Sequence, residues 1–214
     1  MQKSAIPLCN SYNPGNYSIA LALSRNNLSA ADPAAMAYNS GCPYNPDSCS
    51  FEVNCLGHLF TVSYPDGLVK YGSTGLEPPV SIQLVMLNYL SRADGTPLSY
   101  QYVPYRALDG GGVFYDAFYR TAILPLAKNF GSCPQRLLAA GAHFDATPLT
   151  RGSGTGLLLF FLPRIPLYFQ VWPGDEEFPA GANILFDSTA NHYLHTEDLA
   201  AMSIVTRLLI KQSG

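Results

Sequence analysis

The chain has 214 residues, 48% of them hydrophobic and 13% charged, so it can bury a substantial core in one domain. Its 12 basic and 15 acidic side chains, net −3, are scattered without a block of one sign, which argues against nucleic acid or a membrane surface as a partner. The apolar run at residues 19–23 is too short for a secretory h-region, and residues 157–172 are too short for a membrane span and broken by two prolines and an arginine, so the expected place is the cytoplasm.

Residues 1–16 read as a turn-rich lead without helical period, and residues 17–214 as a single domain. An apolar face over residues 17–25 predicts a short helix, and Asp32 as N-cap with Pro33 behind it predicts a second that stops at Gly41. From Ser50 the period changes to two. Phe51, Val53 and Cys55 share one face, and the runs 59–64 and 68–71 flank Pro65-Asp66-Gly67, which predicts an antiparallel meander turned at Asp-Gly. His58 lies within it and reads as a hydrogen-bonded structural residue. Pro78-Pro79 then opens a helix carrying Val80, Ile82, Leu84, Val85, Leu87 and Leu90, apolar over more than half its circumference, which ends before Asp94-Gly95.

Residues 100–106 alternate aromatic with polar side chains and lead into Gly110-Gly111-Gly112. No Gly-Lys-Ser/Thr follows, so these glycines read as a mobile turn and not as a phosphate-binding loop. A helix is expected over residues 116–130, ended or kinked by Pro125 and capped by Gly131, and another over residues 135–143. The alternating glycines of residues 151–156 stand before a strand instead of between a strand and a helix, so they read as a flexible connector. Two apolar runs, 157–162 and 167–172, flank Pro163-Arg164-Ile165-Pro166 and predict an antiparallel strand pair. Residues 182–186 read as a strand ending in Asp187. Residues 199–210 read as an amphipathic helix with Thr196 as N-cap, Glu197 and Asp198 at its positive end and Lys211 at the other. This order predicts an α+β fold with an antiparallel sheet, packed helices and a C-terminal amphipathic helix.

Cys9, Cys42, Cys49, Cys55 and Cys133 are an odd number without a Cys-x-x-Cys pair, which in this context reads as reduced thiols. The gaps between Cys42, Cys49, Cys55 and His58 match no compact zinc or iron–sulfur knuckle, so small buried hydrophobes are the expectation.

The densest acidic run follows the densest apolar one. Asp175, Glu176 and Glu177 sit between Pro173-Gly174 and Phe178-Pro179, directly after Trp172, with Arg164 in the preceding hairpin. An unpaired carboxylate buried beside tryptophan would be costly, so at least one of the three is expected to pair with a cation. Arg164, Trp172, Asp175, Glu176, Glu177 and Asp187 are the candidate ligand-binding set. His192 and His195 are the local metal candidates, with Glu197 or Asp198 as an oxygen ligand. Their position ahead of the helix start favours a structural role for both. There is no nucleophile elbow and no His-Glu-x-x-His. Three functional classes follow. The first is a binding protein for a small molecule or cofactor, for which 14 tyrosines and one tryptophan could line an apolar cleft for a tetrapyrrole such as a corrinoid. The second is an enzyme using the acidic loop and the histidines, and the third is a protein-interaction domain whose acidic loop meets a basic partner.

The run Leu162-Pro163-Arg164-Ile165-Pro166, then Trp172, Gly174-Asp175-Glu176-Glu177-Phe178-Pro179-Ala180, Ile184-Leu185-Phe186-Asp187 and Glu197-Asp198-Leu199, resembles an uncharacterised domain-of-unknown-function family of anaerobic bacteria and archaea. Asn39-Ser40-Gly41, residues 83–90 with Gly95, and Tyr105-Arg106-Ala107-Leu108 extend the resemblance over nearly the whole chain beyond Tyr17. No established activity comes with it. Relatives with an added four-cysteine iron–sulfur segment of the kind seen in corrinoid proteins imply work near anaerobic redox or one-carbon metabolism, and this chain departs from them in having no such segment.

Overall fold

The structure, a computed structural model that describes residues 17–149 and 154–213, has an α+β fold with two antiparallel sheets. The expected lead over residues 1–16 and the start of the connector, residues 151–153, lie outside the described residues. By its contacts the chain divides into two units. The first holds Met1–Pro97 with Leu162–Arg164 and His192–Leu194, and the second holds Leu98–Phe161, Ile165–Asn191 and His195–Gly214.

In the first unit, α1 (Ser18–Ala30) runs past its expected end, because exposed Asn26 and Asn27 continue the helix and bring Leu28 onto the buried face. Helix α2 (Pro33–Ser40) is delimited as predicted. Asp32 accepts from the Ala35 amide at 2.7 Å, and Gly41 closes the helix at φ 72°, where a side chain would be strained. The strands β1 (Tyr44–Asn45), β2 (Ser50–Cys55), β3 (His58–Ser63) and β4 (Val69–Tyr71) form a meander in sequence order. Phe51, Val53, Cys55, Phe60 and Val62 point to its buried face, the period of two read in the sequence. Helix α3 (Val80–Arg92) starts behind Pro79 and is buried continuously from Ile82 to Leu87 and again at Tyr89 and Leu90, with α1 and α2 packed on it. A helix apolar over more than half its circumference is driven inside, while its polar Ser81 and Arg92 stay exposed.

In the second unit the sheet order is β5 (Tyr102–Pro104), β9 (Gly181–Asp187), β8 (Ile165–Trp172), β7 (Thr155–Leu162) and β6 (Thr147–Pro148). The predicted strand pair is therefore present, but its turn contracts to Pro163-Arg164, because Ile165 and Pro166 already belong to β8. Thr155 and Gly156, read as connector, open β7. The three glycines are not a mobile turn. Gly110, at φ 69°, precedes α4 (Gly111–Phe118), whose first residue must be glycine because a Cβ there would fall on the Tyr105 carbonyl oxygen. The helix expected over residues 116–130 is interrupted by a π turn, Tyr119–Ile123, before α5 (Leu124–Phe130), so Pro125 stands in a first turn where its missing amide hydrogen is not needed. Gly131 keeps right-handed helical angles and is no left-handed cap; a Cβ there would press on Ala127 and Ala180. Helix α6 (Gln135–Gly141) follows. The single C-terminal helix is instead a pair, α7 (Thr196–Ala200) and the amphipathic α8 (Ser203–Gln212), parted at Ala201-Met202 with no glycine or proline to announce it. Thr196 begins α7 rather than capping it, since its hydroxyl donates to the Asp109 carbonyl. Among the described residues no helix is long and apolar enough to cross a membrane.

Candidate functional site

Tyr89 and Gln83 bring polar atoms into the buried run of α3, and a buried phenol needs partners. The Tyr89 hydroxyl donates to the Ser40 carbonyl at 2.6 Å and accepts the Arg164 amide at 3.0 Å. Burial and the nearby Cys42 push its pKa up, so it stays a neutral hydroxyl able to do both. The Ser40 hydroxyl donates to the Met36 carbonyl at 2.6 Å and accepts the Cys42 amide at 3.1 Å. Burial, opposed by the bond to Ser40, pushes the Cys42 thiol to about 11, which leaves it protonated and inert. The end of α2 and the Pro163-Arg164 turn are thereby tied to one hydroxyl. The half-buried Arg164 lies beside Gly41, where a Cβ would stand 3.6 Å from its Nε, and among the described residues no carboxylate pairs with the guanidinium.

A second contribution to this unit comes from His192–Leu194. Tyr193 is buried with its ring centroid 6.0 Å from that of Tyr89, and its hydroxyl donates to the Thr96 carbonyl. This holds the segment after α3 against His192, whose Nδ1 lies 2.7 Å from Asp94 Oδ2 and 3.1 Å from Thr96 Oγ1. Asp94 Oδ1 also accepts the Thr96 amide at 2.9 Å. What burial Asp94 has would raise its pKa, but the bonds from His192 and Thr96 and the imidazole charge outweigh it and hold the carboxyl at about 2. Gly95, at φ 81°, is pressed against the Asn39 side-chain oxygen. Asn39 to Cys42, Tyr89, Asp94 to Thr96, Arg164 and His192-Tyr193 are thus one cluster built from five separate stretches of chain. It offers a guanidinium without a carboxylate partner among the described residues and an imidazole oriented by Asp94.

The other predicted residues belong to the second unit. Asp175 Oδ1 accepts the amides of Glu177 at 2.9 Å and Phe178 at 2.7 Å, and the Asp175 amide donates to the Phe178 carbonyl at 2.9 Å, a closed turn that leaves Glu176 and Glu177 exposed. Among the described residues no cation pairs with these three carboxylates. Trp172 is 37% exposed and lies over Gly181, its partner across β8 and β9. Asp187 is buried and bonded throughout to the chain. It accepts from the Ser99 amide at 3.1 Å and hydroxyl at 2.8 Å, the Tyr100 amide at 2.6 Å, and the Thr189 amide at 3.0 Å and hydroxyl at 2.7 Å. Burial pulls its pKa upward, and these bonds from Thr189 and Ser99 more than offset it. His195 is exposed at the start of α7, in the second unit, whereas His192 and Arg164 lie in the first. Among the described residues no three of His, Cys, Asp and Glu are grouped to hold a metal; Cys42 and Cys55 are buried while Cys49 and Cys133 are exposed.

Tyr89, Asp94 and Thr96 escaped sequence reasoning. The available signal for Tyr89 was a hydroxyl on the apolar face of a mostly apolar helix; Asp94-Gly95 read only as a helix stop.

The family described as a domain of unknown function (DUF3786) matches residues 32–207, a stretch that contains the whole cluster. No curated protein and no solved structure matches the chain.

Proposed function

The chain belongs to the DUF3786 family, and from that premise we propose that it binds a small acidic molecule, with Arg164 as the anchor. The observation that carries this reading is a guanidinium without a carboxylate partner among the described residues, on a two-residue turn whose amide is held by Tyr89. A planar fork of donors suits a carboxylate or phosphate, and a turn already immobilised loses less entropy on binding than a free loop. Haem-type tetrapyrroles carry carboxylates at the ring edge and complete corrinoids a phosphodiester in the nucleotide tail, so both fall within this class. The aromatic argument for them is weaker than composition suggests, because Tyr89, Tyr105, Tyr168 and Tyr193 are buried in the core instead of lining a cleft.

The test is a thermal-shift panel of di- and tricarboxylates, sugar phosphates, nucleotides and a cobalamin, the last also followed by its visible spectrum. A ligand at a hundred times its Kd stabilises by about 2.7 kcal/mol, which such a panel resolves. The expected result is a shift with one acid that is lost in Arg164→Gln. A panel without any shift, or one retained in Arg164→Gln, overturns the reading.

A second reading, docking of a basic protein segment, is favoured by the acidic loop, where Trp172 and the 66% exposed Phe178 flank Glu176 and Glu177. Binding that weakens steeply with salt and is lost in the double change Glu176→Gln and Glu177→Gln would support it.

A further inference from the structure

We propose that His192 is a catalytic base of the first unit, with Nε2 as the reacting atom and Asp94 as its positioning residue. The substrate class is a hydroxyl compound, water or an alcohol, whose proton Nε2 takes as the oxygen attacks an acyl carbonyl.

Geometry assigns the tautomer. An ionised carboxylate only accepts hydrogen bonds, so the 2.7 Å contact between Asp94 Oδ2 and Nδ1 requires the proton on Nδ1. In the neutral imidazole Nε2 then carries the lone pair. Among the described residues no group hydrogen-bonds Nε2, and the imidazole is half exposed, so a substrate can reach it. The orienting carboxylate is itself held. Asp94 Oδ1 accepts the Thr96 amide, and the Thr96 carbonyl is bonded by the hydroxyl of buried Tyr193, the neighbour of His192. An exposed ion pair kept for stability alone gains little from such support, whereas a base must be presented at one angle and in one tautomer. In the step itself the water proton passes to Nε2, the new imidazolium is stabilised by Asp94, and the proton leaves with the departing oxygen or to solvent.

The test uses the full chain and p-nitrophenyl acetate, whose hydrolysis consumes one water and gives acetate and p-nitrophenol. The ester has no acid group, so the outcome does not depend on acid binding at Arg164. His192→Gln is expected to lose about tenfold or more of the protein-catalysed rate, while His58→Gln and His143→Gln keep it. Long-range proton–nitrogen NMR of the unsubstituted protein at neutral pH is expected to show His192 as the Nδ1–H tautomer, and Asp94→Asn to abolish that bias and slow hydrolysis. A rate unchanged in His192→Gln, or a mixture of tautomers in the unsubstituted protein, overturns the proposal. The NMR reading stands even if a substituted chain fails to fold.

Discussion

The hydroxyl of Tyr89 accepts the amide of Arg164 at 3.0 Å while donating to the Ser40 carbonyl at 2.6 Å, so one buried phenol holds the turn that carries the proposed anchor. Tyr89→Phe keeps the ring and deletes both bonds. An unsatisfied buried amide and a weakened carbonyl should cost about 1–3 kcal/mol in chemical denaturation, and binding of the acid found in the panel should weaken in parallel. Stability equal to the unsubstituted chain would show that the hydroxyl does not hold the turn.

Asp187→Ala removes five hydrogen bonds at once from the entry to β5 and the exit of β9. The amides it strands should lower stability by about 2–4 kcal/mol, with Asp187→Asn losing less because one side-chain oxygen still accepts. Its pKa is lowered by folding. The contribution is therefore present above the ordinary carboxylate range and lost as pH falls through and below it, and denaturation curves in acid should show this loss in the unsubstituted chain alone.

Asp94 gives a second acid-range signature. Its pKa falls from 3.8 to about 2 on folding, so its stabilisation is complete above pH 3.8 and disappears as pH drops toward 2. The melting temperatures of the unsubstituted chain and Asp94→Asn should converge over that window. The gap above it is small and shrinks further with added salt, because both side chains of the pair are half exposed. A constant gap down to pH 2 would contradict the pairing.

Gly181→Ala would place a methyl inside the indole of Trp172, a rigid ring that must then leave its seat. As the only tryptophan in the chain, Trp172 reports this directly. The expected outcome is a red-shifted emission maximum and easier quenching by iodide. Unchanged fluorescence would mean that the indole does not lie on Gly181.

The elements legible from residue order alone are those set by neighbours in the chain. Asp32, Pro33 and Gly41 delimit α2 because capping acts over three or four residues. Alternation at Phe51, Val53 and Cys55 announces β2, since side-chain direction in a strand depends only on parity. The same local reading failed where a distant group decided. Gly111 looked like slack until the Tyr105 carbonyl was seen to occupy the space of its Cβ, and the break between α7 and α8 has no local marker at all.

Sequence by itself determined the α+β class, the hairpin around Arg164 and the acidic turn after Trp172, whose Asp175 side chain bonds to amides two and three residues on. What the cluster is made of was decided by tertiary structure. Arg164 meets Tyr89 across 75 residues and His192 meets Asp94 across 98, distances over which neither periodicity nor spacing carries information. The driving force is burial of α3. Once its apolar face is inside, the Tyr89 hydroxyl and the residues beyond its end must find partners wherever the fold brings them, and those partners make the cluster.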